Sequence, residues 1–342
     1  MPRGPIDIFL ILLFMALLPL KANGAEKGHT ETLLEGAKKE GRVVWYATMN
    51  ITDAKKIIDA FEKKYPFVKV DLYRAGSQPL LNRIASEYRG SRYLADVAET
   101  NIFESHFLQK KGFFQPYHSP EAKFFPSQFK DANGFWVADY ILYYIIAYNT
   151  RLIKSSEAPK SYQDLLHPRW KENIGLKDDA VRWYGALLEY WGEEKGKVFM
   201  NHLAAQSPRL LGGSYGLISE LIAAGEVPAG IVYAPTVESL RRFKGAPIDW
   251  EAGLDPVVTS VIALYMLAKS PHPSSAKLFI DFFLSKETQQ FLVAMNRVPA
   301  RLDIEPISPK LHPGRLKIAV IRPEMSEKFD HYSREFKETF SK

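Results

Sequence analysis

Hydrophobic positions along this chain alternate between the periods of strands and helices. Thr32–Lys39 places Leu33, Leu34 and Ala37 on one side of a short helix, Gly41 ends it, and Arg42-Val43-Val44-Trp45-Tyr46-Ala47 follows as a buried strand. Ile57, Ile58 and Phe61 recur at helical spacing within Ile51–Lys64, Pro66 closes that helix, and Val68–Tyr73 reads as the next strand. A third unit pairs a helix over Pro79–Tyr88 with a short strand over Ala95–Ala98, and Phe103–Lys110 is helical again. Strand and helix alternating at this spacing predict an α/β fold with mainly parallel sheets flanked by helices.

Phe135–Asn149 breaks the rhythm with a long β-branched and aromatic run, long enough to carry the chain from one lobe to another. A second alternation follows through Tyr162–Leu166, Ile174–Leu176, Val181–Trp191, Val198–Ala205, Leu217–Ala224 and Ala229–Tyr233. Val257–Ala268 is a second long β-like run suited to a return crossing, and helices over Ser274–Leu284 and Lys286–Met295 come after it. The expected layout is a two-lobed clamshell with two hinge crossings beneath a cleft. Residues 25–140 with 259–300 would form the first lobe, and 141–258 with 301–342 the second.

The first 24 residues read differently. Met1–Asp7 carries one Arg, and Ile8–Leu20 is an apolar stretch too short to span a bilayer comfortably, which fits the hydrophobic region of an export signal. Small residues in Ala22-Asn23-Gly24 place cleavage before Ala25; an uncleaved N-terminal anchor is the alternative. The mature chain is expected in a bacterial periplasm, and zero cysteines exclude a lipoprotein, a disulfide and a cysteine nucleophile. Removing Arg3, Lys21 and Asp7 takes the net charge from +6 to +5, with basic residues interspersed among acids. No block of like charge offers a nucleic-acid footprint.

In an open α/β sheet ligands bind beyond the carboxyl ends of the strands, where helix N-termini also point. The loops in that position supply Asn50, Ser77, Thr100, Asn101, Tyr215 and Thr236 as candidate ligand-binding residues, with Tyr233 at the end of the strand before Ala234-Pro235-Thr236 and Trp183 and Tyr184 as an aromatic wall. Tyr140 and Tyr143 on the first crossing run are further candidates, and Asp178, Asp179 and Arg182 could meet a charged group. The eight histidines are scattered, and no nucleophile elbow, phosphate loop or metal spacing is present, so no catalytic set and no cofactor are expected.

Ordered phrases across nearly the whole mature chain resemble the type II periplasmic solute-binding proteins of ABC importers. They include Glu40-Gly41-Arg42-Val43-Val44-Trp45-Tyr46, Phe61-Glu62-Lys63-Lys64-Tyr65-Pro66, Arg74-Ala75-Gly76-Ser77, Ala147-Tyr148-Asn149-Thr150, Asp164–Trp170 and Ala224-Gly225-Glu226-Val227. The branch they resemble is the extracellular solute-binding family 1 group that includes ferric-iron-binding proteins. The resemblance implies a monomeric receptor that closes on one solute, presents it to an inner-membrane permease and turns nothing over. It also exposes departures. Where ferric-binding members carry a His, a Glu and a Tyr-Tyr pair, the corresponding positions are Asn50, Thr100 and Pro235-Thr236, and the anion-holding Arg falls on Leu142. These neutral groups supply no anionic oxygen for hard Fe(III). The expected cargo is therefore a small organic solute held by stacking and hydrogen bonds. The alternatives are ferric iron with a non-standard ligand set, or a secreted binding module outside transport.

Overall fold

The computed structural model describes residues 31–340, so the expected export signal lies outside the described residues. The first alternation runs through residues 31–40 (α1), Arg42–Ala47 (β1), Ile51–Lys64 (α2), Lys69–Arg74 (β2), Ser77–Arg89 (α3), Val97–Asn101 (β3) and Ile102–Lys110 (α4). Phe114–Gln115 (β4) and Trp136–Asn149 (β5) follow, then Ile174–Lys177 (β6), Val181–Trp191 (α5), Glu193–Ala205 (α6) and Arg209–Leu211 (β7). Tyr215–Ala224 (α7), Ala229–Tyr233 (β8), Ala234–Lys244 (α8) and Ile248–Trp250 (β9) complete the second alternation. The chain returns through Val257–Leu267 (β10), Pro273–Leu284 (α9), Lys286–Ala294 (α10), Val298–Pro299 (β11), Ile318–Val320 (β12) and Phe329–Phe340 (α11).

Local chemistry sets these boundaries. Asn50 caps α2 by accepting from the Asp53 amide at 2.9 Å, and Ala54, Ile57 and Phe61 form its buried stripe. Ser214 caps α7 through the Leu217 amide, and Gly225 ends that helix at φ 88°, a conformation that costs a glycine little.

The strands form a continuous path β2-β1-β3-β10-β5-β8-β6-β7. Pairing is parallel at the flanks, between β1 and both β2 and β3, and between β6 and both β7 and β8. Along this path the two crossing strands are antiparallel to their neighbours, while β12 pairs β10 in parallel off it, which gives each lobe a mixed sheet. β5 has 14 residues, about 46 Å at a strand's usual rise. Its residues up to Tyr143 pair with β10, and Tyr144 to Tyr148 pair with β8. One strand thus belongs to both sheets.

Among the departures from the expected pattern, three stand out. Tyr162–Leu166 is only a 3-10 turn over Gln163–Leu166. Ala234-Pro235-Thr236, expected as a loop, is the first turn of α8, where proline is well suited. The third is α11, which the sequence pattern had not marked as an element. It buries Tyr332, Phe336 and Phe340 against α5. Gly185 makes this contact possible, because a Cβ there would lie 2.6 Å from the Tyr332 ring.

The junction of β3, β10 and β5 also buries two acids. The register shift opposite Ile262 and Ala263 leaves Asp139 as the extra residue of a bulge. Its carboxyl is fully buried, and neither oxygen has a hydrogen-bond partner. Burial, and next the Glu99 charge, push the Asp139 carboxyl well above the usual carboxylate range, with Arg297 pulling the other way. An acid whose pKa is raised by folding binds its proton more tightly in the folded chain. Stability is then full below the unfolded value of about 4 and is lost as pH rises toward the folded one. Asp139→Asn removes this loss. Its stability relative to wild type should improve as pH rises above the unfolded value, by up to about 1.4 kcal/mol per pH unit. Urea denaturation across that range reads the effect, and parallel profiles for the two proteins would locate the buried charge elsewhere.

Candidate functional site

The strand ends and helix starts converge on a cavity of about 950 Å³. Its floor is the crossing pair, with Tyr140 and Leu142 of β5 and Ile262 of β10. One wall carries Gly76, Ser77 and Gln78 at the start of α3, together with Asn101 and the α4 side chains Phe103, Glu104 and Phe107. The other wall carries Arg182 from α5 and Tyr233 at the end of β8. Gly76 holds an extended conformation before α3 without a side-chain cap, so the first-turn amides of that helix are not taken by a capping side chain.

Two smaller cavities adjoin it. One, of about 320 Å³, shares Arg182 and Tyr233 and adds Tyr144, Tyr215 and Lys177. The other, of about 290 Å³, shares Tyr140 and Leu142 and adds Asn50, Asp53, Thr236 and Arg297.

The first of these is a tyrosine pocket. The Tyr215 and Tyr233 ring centroids lie 4.4 Å apart, Tyr144 stands edge-on to Tyr215 at 5.4 Å, and the Tyr233 hydroxyl donates to the Tyr144 hydroxyl at 3.1 Å. Burial pushes the Tyr215 and Tyr233 phenols well above their ordinary range, so both remain protonated donors at neutral pH. Arg182 reaches across to Glu104 of α4 at 3.0 Å. Burial works against its charge, yet Glu104 and the surrounding tyrosines keep the guanidinium ionised. The Glu104 carboxyl is itself raised by burial, with Arg182 partly offsetting that rise.

Six of the nine residues expected from the sequence line these cavities: Asn50, Ser77, Asn101, Tyr215, Tyr233 and Thr236. Asn101 is committed elsewhere through its polar atoms, since its oxygen caps α4 at the Phe103 amide and its nitrogen donates to Ser260 Oγ at 2.6 Å. The other three are turned away. Thr100 is fully buried between β1 and β10 in the sheet, with its hydroxyl unpartnered. Trp183 is fully buried and directs its indole N–H to the Tyr162 hydroxyl at 3.4 Å, while Tyr184 packs edge-on against Phe336 of α11. The aromatic wall expected at Trp183-Tyr184 is therefore core: α11 covers Tyr184, and Tyr162 packs against Trp183 at 6.0 Å between ring centroids. Arg182, between Val181 and Trp183, is the side chain of that turn that reaches the cleft.

Sequence reasoning missed Tyr144 and placed Tyr143 with Tyr140. Strand alternation separates them: Tyr140, Leu142 and Tyr144 share the cleft face of β5, while Tyr143 is fully buried with its hydroxyl unpartnered. Arg297 and Glu327 were also missed, and their distance along the chain from the other cleft residues gave no signal. Glu327 accepts from His106 Nε2 at 2.9 Å and Lys110 Nζ at 2.8 Å, tying the C-terminal segment to α4.

Residues 94–317 match the family described as bacterial extracellular solute-binding protein. The chain belongs to that family. This solute-binding protein is 25% identical to an Fe(3+)-binding periplasmic protein of Serratia marcescens, over 82% of this chain and 84% of the relative. It is 28% identical to a probable ABC transporter periplasmic-binding protein of Sinorhizobium fredii, over 75% of this chain and 74% of that one. Among solved structures, the Trichodesmium protein IdiA (FutA) in complex with iron and citrate superposes with a TM-score of 0.74 at 19% identity, covering 86% of this chain and 99% of that one. AfuA of Actinobacillus pleuropneumoniae with bound fructose-6-phosphate superposes with a TM-score of 0.70 at 23% identity, covering 88% and 99%. Both likenesses establish the shared two-lobed fold.

The placement of Trp183 yields a direct expectation. Trp183→Ala should cost about 3–5 kcal/mol of solute-free stability, as a large-to-small core substitution does. Urea denaturation measures it. A loss below about 1 kcal/mol would mean that Trp183 is free to face the cleft.

Proposed function

We propose that this chain is the periplasmic receptor of a bacterial ABC importer, capturing one small organic solute between its lobes and delivering it to a permease without turnover. The observation that carries this reading is the cleft itself. Ser77 and the α4 side chains on one wall, and Arg182 and Tyr233 on the other, face each other over the two crossing strands. The proposed lobes are residues 25–140 with 259–300 and residues 141–258 with 301–342. Residues 1–24 are a cleaved export signal in this reading, and the mature receptor is a monomer. The family match supports the binding role. The Sinorhizobium relative's name supports the importer, and the Serratia relative's supports the compartment.

An organic cargo is favoured over ferric iron by the side chains present. The pocket that contains Asn50, Pro235 and Thr236 holds a single acid, Asp53, and that acid is paired with Arg297 at 2.9 Å. The larger cavity offers aromatic and aliphatic walls with scattered hydrogen-bonding groups, which suits a body of many atoms. One observation favours iron as a second reading: Tyr144, Tyr215 and Tyr233 cluster, and three phenolates would be hard oxygen ligands. Ferric iron would have to displace protons that burial holds on Tyr215 and Tyr233.

The test is a thermal-shift screen of the mature chain against amino acids, sugars, sugar phosphates, aromatic acids, polyamines and ferric citrate. Binding to the folded state alone raises the melting temperature. A shift with one organic class is expected. Tyr233→Ala should weaken that binding at least about tenfold, the loss of roughly 1.4 kcal/mol of contact. A shift with ferric citrate alone, together with a visible phenolate-to-iron absorption band weakened in Tyr233→Phe, would replace the organic reading with the ferric one.

A further inference from the structure

Arg297 follows α10 and enters the cavity that contains Asn50 and Thr236. Its side chain is only 15% exposed. The guanidinium donates to Asp53 Oδ2 from Nη2 at 2.9 Å and from Nε at 3.3 Å, and it lies 4.3 Å from the centroid of the Tyr140 ring. The preceding residue, Asn296, donates to the Pro235 carbonyl at 2.7 Å, which ties this segment to the first turn of α8.

The oxygens around Arg297 outnumber its positive charge. Asp53 is paired with it directly, and the buried carboxyls of Glu99 and Asp139 both feel its charge. Both Asp139 oxygens, Glu99 Oε1 and Asn296 Oδ1 are buried without a hydrogen-bond partner. Lys56 approaches Asp53 Oδ1 only at 3.9 Å and is largely exposed, so Arg297 is the buried cation of this group. A guanidinium stays charged at any physiological pH, so it does not vacate the pocket by losing a proton as a lysine could.

We infer that Arg297 is a specificity-determining residue of the cleft, a resident cation that closes the Asp53 pocket to metal ions and cationic solutes. The inference rests on the receptor reading for its biological meaning, but its physical content is testable without knowing the solute. With the guanidinium in place, Asp53 is already compensated, and an incoming cation meets a fixed like charge. Without it, the pocket presents Asp53 and the unpartnered Asn296 Oδ1 to any hard cation small enough to enter.

The probe is terbium(III), an oxygen-seeking cation whose luminescence is sensitised by a nearby tyrosine, here Tyr140. Titration of the mature wild-type chain should give no saturable emission that depends on Asp53. Arg297→Gln, and Arg297→Met as a second variant of similar length, should each bind terbium at least tenfold more tightly than wild type. That binding should disappear when Asp53→Asn is added, and circular dichroism establishes that each variant is folded. Saturable wild-type binding that Asp53→Asn abolishes would overturn the inference, as would folded Gln and Met variants with no gain over wild type. Either result is separate from solute capture, which the thermal-shift screen reads on its own.

Discussion

The pairing of β5 with β10 and then with β8 is the constraint on which the rest of the molecule depends. Every residue of β5 but Leu142 is buried, so both faces of this strand are committed to packing along its length. A register slip by one residue would exchange the two faces. It would bring Ile141 and Tyr143 to the cleft and drive Tyr140, Leu142 and Tyr144 into the core. The three adjoining cavities share β5 side chains on one face, so one strand register fixes the floor of the whole site. A strand that serves two sheets also holds the lobes at a common pivot, where bending is absorbed without breaking either core.

Around that pivot, polar groups fix loop geometry that apolar packing could not specify. Glu99 is fully buried, and its Oε2 accepts from the Thr48 and Met49 amides at 2.6 and 2.9 Å and from the Thr48 hydroxyl at 3.0 Å. One carboxyl thus shapes the loop that leads to Asn50 and the start of α2. Burial raises the Glu99 carboxyl while these donors lower it, so the loop geometry and the charge of the acid depend on each other. Asn101, at the end of the same strand, acts in a similar way by capping α4 while holding Ser260 of β10. Such groups lower stability unless satisfied, and here they position the rim of the cleft.

Most of the long elements were legible in the sequence because they follow from local period and punctuation, with Gly41 and Pro66 as stops and two long β-branched runs as crossings. The loops beyond the strand ends were legible for the same reason. What sequence could not supply was the direction of a side chain on an element whose covering partner lies far along the chain. Trp183 and Tyr184 sit early in a helix, which fits a cleft wall as well as a core. For Tyr184 the choice was made by α11, much later in the chain, whose Phe336 and Phe340 cover it, and for Trp183 by Tyr162 before β6. The tyrosine pocket was illegible for a related reason, since Tyr144, Tyr215 and Tyr233 come from β5, α7 and β8 and meet only through the sheet order.

Contacts that span the cleft bias the molecule before any solute arrives. Arg182 of α5 pairs with Glu104 of α4, Phe103 of α4 meets Phe329 of α11 edge-on at 5.7 Å, and Glu327 holds both His106 and Lys110. All of them join α4, which follows β3, to elements packed with the opposite sheet. Opening the cleft at this edge would break them, so these contacts oppose opening in the absence of a solute. A solute shifts that balance only by the difference between its contacts in the closed and open forms. The pair of Arg182 and Glu104 lines the main cavity, so a solute that reaches Arg182 meets a partner already in place. Its affinity is then the surplus of new contacts over an exchanged salt bridge, and a partly exposed pair of this kind contributes little by itself. In the proposed receptor, discrimination would therefore rest on shape against Phe103, Leu142 and Tyr233 more than on charge at Arg182.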